Sequence, residues 1–218
     1  LERSLLPQAV LSLAWVGTKA DHLPRSRLPN GGPNLAQSAR PDPRSGVITR
    51  YEGSASSVYH SLQVTARGSW SNGAVFRSSY TFGKSIDNAS EYRALPISEN
   101  DLRLDRGVSD FNTRHMFNAH ALYPLPWLRD RRWLGGWQFA ALVTARSGLP
   151  FSILSNTNNL SGVLNNRIMD IPGAILRGGT GRTRLQLAPG VTPALLTPPP
   201  GAIGTLGRNT ETAPAAID

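Results

Sequence analysis

Tyr59-His60-Ser61-Leu62-Gln63-Val64-Thr65-Ala66-Arg67, then Trp70-Ser71-Asn72-Gly73, then Phe76-Arg77-Ser78-Ser79-Tyr80-Thr81-Phe82: this stretch decides the fold. In the first run His60, Leu62, Val64 and Ala66 alternate with Tyr59, Ser61, Gln63, Thr65 and Arg67. In the last, Phe76, Tyr80 and Phe82 alternate with Arg77, Ser79 and Thr81. Side chains two apart share one face of a strand, so each run has an apolar and a mostly polar face. Asn72-Gly73 between them suits a tight hairpin turn that needs positive φ. The stretch reads as one amphipathic β-hairpin.

Working outward, the same period recurs. From Gln8 to Lys19, Ala9, Leu11, Leu13, Trp15 and Gly17 oppose Val10, Ser12, Ala14, Val16 and Thr18. From Arg114, Phe117, Ala119, Ala121 and Tyr123 oppose Asn118 and His120. From Gly136, Trp137, Phe139, Ala141, Val143 and Ala145 oppose Gln138, Thr144 and Arg146. Strands are therefore expected near 8–19, 57–70, 74–84, 114–123 and 136–147. Helical 3.6-residue faces are missing, and Gly or Pro interrupts the stretches long enough to hold them. The expectation is an all-β chain of antiparallel up-and-down strands.

The connections alternate in length. Short turns join the second strand to the third and the fourth to the fifth, whereas 20–56, 85–113 and 148–207 are long. An up-and-down sheet then has every short turn at one end and every long loop at the other. Transmembrane barrels show this asymmetry, with short periplasmic turns and long extracellular loops. The strands are also of the length needed to cross a bilayer at a tilt, ~9–11 residues. Aromatic side chains gather at both strand ends. Trp70, Trp127, Trp133 and Trp137 lie toward the short turns; Trp15, Tyr59, Tyr80, Phe82 and Phe151 lie toward the long loops. Rings with one wet edge favour the headgroup level. Trp15, Trp70, Tyr80, Phe82, Trp127, Trp133 and Trp137 are the candidate aromatic girdle. Gln63, Thr65, Arg67, Arg77, Ser79, Thr81, Asn118, Gln138 and Arg146 are the candidate lumen-facing residues. Five strands cannot close a barrel, so a slice of a partial transmembrane β-barrel is expected, with an open, curved sheet and extended or disordered loops. A soluble β-sandwich that binds carbohydrate or a surface has the same alternation, and remains the alternative.

Composition narrows the chemistry. The 218 residues contain no Cys, which excludes disulfides, thiolate zinc sites and a cysteine nucleophile. The four His show no metal-ligand spacing. The net charge of +9 is carried almost entirely by Arg, scattered along the chain, with the densest cluster at Arg129-Asp130-Arg131-Arg132. No nucleic-acid motif accompanies it, and solvated turn charges account for it. Asp101, Asp105 and Asp110 lack EF-hand spacing. Asp110 and Asn112 are expected to bond nearby backbone amides and turn the chain into the fourth strand. No catalytic, cofactor or metal residues are assigned; the chain is expected not to be an enzyme and not to bind nucleic acid.

A set of ordered motifs adds a resemblance. Tyr59–Arg67, Trp70–Gly73, Arg77–Ser90, Asp105–His115, Tyr123–Pro126, Gly136–Gln138, Ser147–Phe151 and Leu206–Thr210 resemble, in this order, the C-terminal part of the barrel of Oar-like TonB-dependent outer-membrane receptors. The resemblance runs from about Val10 to Thr210 and assigns residues 1–210 to a partial receptor barrel, with Leu160–Pro200 matching only a variable loop and Glu211–Asp218 retaining little, as in a truncated tail. It implies a bacterial outer-membrane location and contact with outer-membrane lipid. It also implies a barrel completed by further strands and a plug, energy coupling to TonB through a missing N-terminal part, and uptake of an unidentified solute. Parents of this kind often carry a carboxypeptidase regulatory-like domain.

Overall fold

A computed structural model describes residues 1–125, 136–178 and 185–218. The short connection holding Trp127, Trp133 and the Arg129–Arg132 cluster lies outside these residues. Five long strands carry the architecture: β2 (Ala9–Arg27), β3 (Arg50–Ser69), β4 (Val75–Asp87), β6 (His115–Pro124) and β7 (Gln138–Arg146). β1 (Glu2–Leu6) flanks β2, and β5 (Gly107–Val108) adds to the far end of β4. β8 (Pro150–Phe151), β9 (Ile175–Arg177), β10 (Leu185–Leu187) and β11 (Glu211–Thr212) pair outside the main sheet, and β12 (Ala216–Ile217) ends it. The sheet runs β1-β2-β3-β4-β6-β7-β12, antiparallel throughout and open. Among the described residues helix is confined to three short pieces, none able to cross a membrane.

Turn chemistry sets the register. Gly73 sits at φ +87°, the Trp70 carbonyl accepts its amide, and Asn72 Oδ1 accepts the Ala74 amide at 3.0 Å. That closes β3 onto β4 so that Ser69 faces Val75 and every pair follows to Ser57–Asp87. The three turns β1–β2, β3–β4 and β6–β7 lie at one end of the sheet, and the long connections lie at the other. β2 and β3 overrun the expected bounds. β2 continues past an irregularity where His22 takes φ +58°, bending it away from the plain ladder as it leaves for the loops. Residues 211–218, expected as a truncated tail, instead form β11 on β8 and β12 on β7.

Directly opposed residues on antiparallel strands point to the same face. One face therefore carries Leu11, Leu13 and Trp15 of β2, Leu62 and Val64 of β3, Phe76, Tyr80 and Phe82 of β4, Phe117 and Tyr123 of β6, and Phe139 and Val143 of β7. A sandwich would seal this face under a second sheet. Among the described residues nothing covers it: Trp15 is 69% exposed and Phe139 59%. A water-facing sheet has no physical reason to present such a surface, whereas lipid tails cover it at no cost. From His115 to Tyr123 β6 spans about 27 Å, or about 20 Å once tilted, near the ~25 Å apolar band of such walls.

The core sits elsewhere. Ile168, Ala174, Leu196 and Leu206 cluster among the long loops, with Ile153, Ile175 and Val191 packed on them. The loops are folded into a cap, not extended or disordered, because their polar groups bond one another. The Arg40 guanidinium, for instance, donates to the carbonyls of Asn30, Gly31, Gly32 and Leu35 at 2.9–3.2 Å and closes its own loop.

Phe117→Arg on the apolar face is expected to cost about 2–4 kcal/mol in bilayer-embedded unfolding by urea, whereas Asn118→Arg beside it costs far less. Equal costs would mean that both faces meet water.

Candidate functional site: a polar face and an arginine-locked cap

The second face of the wall holds the polar set. The register aligns Gln63 with Thr81, Thr65 with Ser79 and Asn118, and Arg67 with Arg77 and His120. Gln138 and Arg146 join through Pro124 and Met116. All nine candidate lumen-facing residues therefore share one face. The face is mixed, however: β2 adds Val10, Ala14 and Val16, and β7 adds Leu142. Arg67 pairs with Glu2 at 2.7 Å, while Arg77 and Arg146 have no carboxylate partner among the described residues. The result is a wet, weakly basic strip.

The girdle candidates separate by face. Trp15, Leu62, Phe82 and His115 form one row across four strands near the loops, and Tyr80 lies one pair below. Trp70 lays its ring over the backbone at Gly68 beside the short turn, and Trp137 follows at the same end. Phe76, Tyr123 and Phe139 belong there too, although only their alternation flagged them. Two further aromatics near the long loops lie off this girdle. Tyr59 lies on the polar face with its hydroxyl against Gly83, and Phe151 belongs to the cap in β8. Position along a strand does not give the face; parity does, and Tyr59 has the parity of Gln63.

At the loop end the recurring motifs meet. Arg208 Nη1 donates to Asp87 Oδ1 at 2.6 Å, and its Nη2 donates to Ser90 Oγ at 2.6 Å and Asp110 Oδ1 at 2.8 Å. Asn209 Nδ2 donates to the Val108 carbonyl at 2.7 Å and to Asp110. Asp105 accepts from Arg25 at 2.6 Å, from Arg167 at 3.4 Å and from the Ile97 amide. Ser85 and Ser109 share a hydrogen bond at 2.8 Å, and Asn112 Oδ1 accepts the Ser85 amide at 2.7 Å. Asn112 thus reaches across to β4 instead of bonding its own turn, and Asp110 serves the Arg208–Asn209 pair. A carboxylate desolvated at this depth requires a cation held in place, and each has one.

Burial pushes the Asp110 carboxyl up, but hydrogen bonds from Arg208 and Asn209 and the Arg208 charge outweigh it and hold it below its usual range. Burial likewise pulls the Arg167 guanidinium down; Asp105 opposes this and Arg208 adds to it. These acids are occupied by arginines, and Asp101 caps its own short helix by accepting from Arg103. Among the described residues no three His, Asp or Glu side chains gather as a metal site. Sequence reading missed Arg25 and Arg167 as buried partners, since a lone Arg in a loop carries no signal of what it meets 80 residues away.

An uncovered apolar face, a polar face behind it and a folded cap on the long loops together define an outer-membrane barrel wall. The chain belongs to the family of outer membrane beta barrel domains, whose pattern matches residues 1–218. That places it in the bacterial outer membrane, against its lipid. No curated protein and no solved structure matches it.

Arg208→Ala is expected to cost the cap about 3–5 kcal/mol, because Asp87, 1% exposed, loses its counter-charge. Amide hydrogen exchange would quicken in 85–112 and 147–178 while mid-strand amides of β3 stay protected. Acid acts through Asp110. A depressed carboxyl contributes stability that is complete above its ordinary value of 3.8 and is lost as pH falls through the lowered one. Protease resistance of the cap should stay flat from neutral pH to about 4 and drop below it, less steeply in Asp110→Asn.

Proposed function

We propose that this chain is wall and external cap of a TonB-dependent transporter that takes up a solute and catalyses no reaction. The observation that carries the reading is the convergence in one cap of the motifs shared with Oar-like receptors: Ser85–Ser90, Asp105–Asn112, Pro150–Phe151 and Leu206–Thr210. The mixed, weakly basic face supports it, since a barrel interior that packs a plug and passes a solute is wet and polar. The outer edge of β1 and the part of β7 that β12 leaves unpaired support it as well, because unpaired strand edges in lipid call for further strands. In this reading those strands close the wall around a plug, the plug carries the contact with TonB, and Arg77 and Arg146 favour anionic solutes.

The test is uptake by intact cells across a panel of iron chelates, cobalamin and oligosaccharides. Deleting the gene and deleting TonB are expected to abolish uptake of the same compound. Arg77→Glu is expected to lower that uptake several-fold if the compound is anionic. Uptake that survives loss of TonB would sink the transporter reading while leaving the outer-membrane wall intact.

A further inference from the structure

Where the apolar face meets the cap it ends in cations. His60 lies opposite Lys84 in the register, one row beyond Trp15, Leu62, Phe82 and His115. The His60 ring stacks on Trp15 at 5.3 Å between centroids. The Arg114 guanidinium lies 5.5 Å over the Phe82 ring, which keeps it on this face. His115 shares a 2.7 Å hydrogen bond with the Tyr80 hydroxyl through Nδ1, and this fixes the direction of Nε2. Lys84, Arg114 and His115 line a cavity of about 390 Å³ together with Asn112 and Ser147, and no carboxylate lines it. Nearby cations are matched differently: Lys19 pairs with Asp21, and Arg208 with Asp87 and Asp110. Lys84 and Arg114 have no carboxylate partner among the described residues, although both are exposed.

Two unmatched cations and an imidazole beside an apolar face call for an anion of more than one charge. A carboxylate answers only one of them. A phosphate monoester carries close to two charges near neutral pH and presents three acceptor oxygens, suited to a guanidinium fork, an ammonium and a ring N–H together. The position selects the source. The cavity stands at the extracellular end, one row beyond the aromatic band that marks the headgroup level, so acyl chains attached to that phosphate would run down over Leu62, Phe82 and Phe117. We infer that Lys84, Arg114 and His115 form a site for the phosphate monoester of an outer-leaflet lipid. The inference rests on the outer-membrane placement and is independent of any transported solute.

The test uses the full chain in phosphatidylcholine bilayers, with tryptophan fluorescence quenched by brominated lipids; Trp15 lies in the same row as Phe82 and His115. Brominated phosphatidic acid is expected to be favoured over brominated phosphatidylcholine by roughly thirtyfold, about fivefold for each of the two cations. The double variant Lys84→Gln/Arg114→Gln should bring the ratio close to one. Arg44→Gln, removing an exposed loop charge far along the chain, should leave it unchanged. In native membranes the double variant should also lose co-purifying phosphorylated lipid by mass spectrometry. Quenching without headgroup preference, or a preference that survives the double variant, overturns the site alone. Inorganic phosphate that abolishes the preference by itself at low concentration would show a free-anion site and overturn the lipid assignment. No quenching by either lipid would overturn the membrane placement and the site with it.

Discussion

Everything in this molecule follows from the pairing of backbone amides and carbonyls where no water can reach them. In hydrocarbon an unpaired peptide group costs several kcal/mol, roughly the whole stability of a small domain. A spanning sheet must therefore satisfy each group along the ladder, and β3 does so against β2 from Arg50 to Gly68 and against β4 from Ser57 to Ser69. Once the ladder is fixed, parity alone sorts the side chains. Val64, Tyr80 and Phe117 fall together on one face, and Thr65, Ser79 and Asn118 on the other. The sheet needs no second layer because lipid is the second layer. That is why the strands hold almost none of the buried apolar side chains, which lie among the loops.

The cap obeys the opposite rule. Its loops stand in water and lack the apolar periodicity to build a large core, so they are held by charge and hydrogen bonds. Arg25 and Asp87 are each about 1% exposed, among the most buried side chains of the described residues. Such groups contribute little net stability over an apolar replacement, yet removing one partner is severe because the other stays buried. The consequence is specificity of closure. Arg208 can satisfy Asp87, Ser90 and Asp110 together only in one arrangement of two long connections.

This contrast explains what the sequence discloses. The five long strands are legible because a period of two over ten or more residues is a local signal, and each apolar face repeats it without interruption. β1 and β12 are not legible. Glu2–Leu6 carries charge at Glu2 and Arg3, and Ala216–Ile217 is two residues long. Their pairing is decided by neighbours and not by their own pattern. The nine polar-face residues were readable for the same reason as the strands, whereas Val10, Val16 and Leu142 on that face were hidden by their apolarity. The cap was visible only as a list of motifs. Arg208 and Asp87 are 121 residues apart, and no local rule joins them. Asp110 and Asn112 looked like ordinary turn formers because turns and long-range locks use the same short polar side chains.

Wall and cap are not independent, and Asp87 is where they meet. It is the last residue of β4, paired on one side with Ser57 of β3 and on the other with Gly107 of β5. Its carboxylate takes Arg208 from the far end of the longest connection. Three residues beyond that arginine the chain forms β11 on β8, and eight beyond it the chain returns to the wall as β12, on Ala145 and Arg146 of β7. The cap is thus clamped to the sheet at β4 and again at β7, on both sides of β6. A force that displaced the Leu206–Thr210 segment would release Asp87, strip β12 from β7 and loosen the wall at its loop end in one movement. Since burial disfavours Asp87 remaining charged and alone, partial release of Arg208 is costly, and the pair holds the cap closed on the wall.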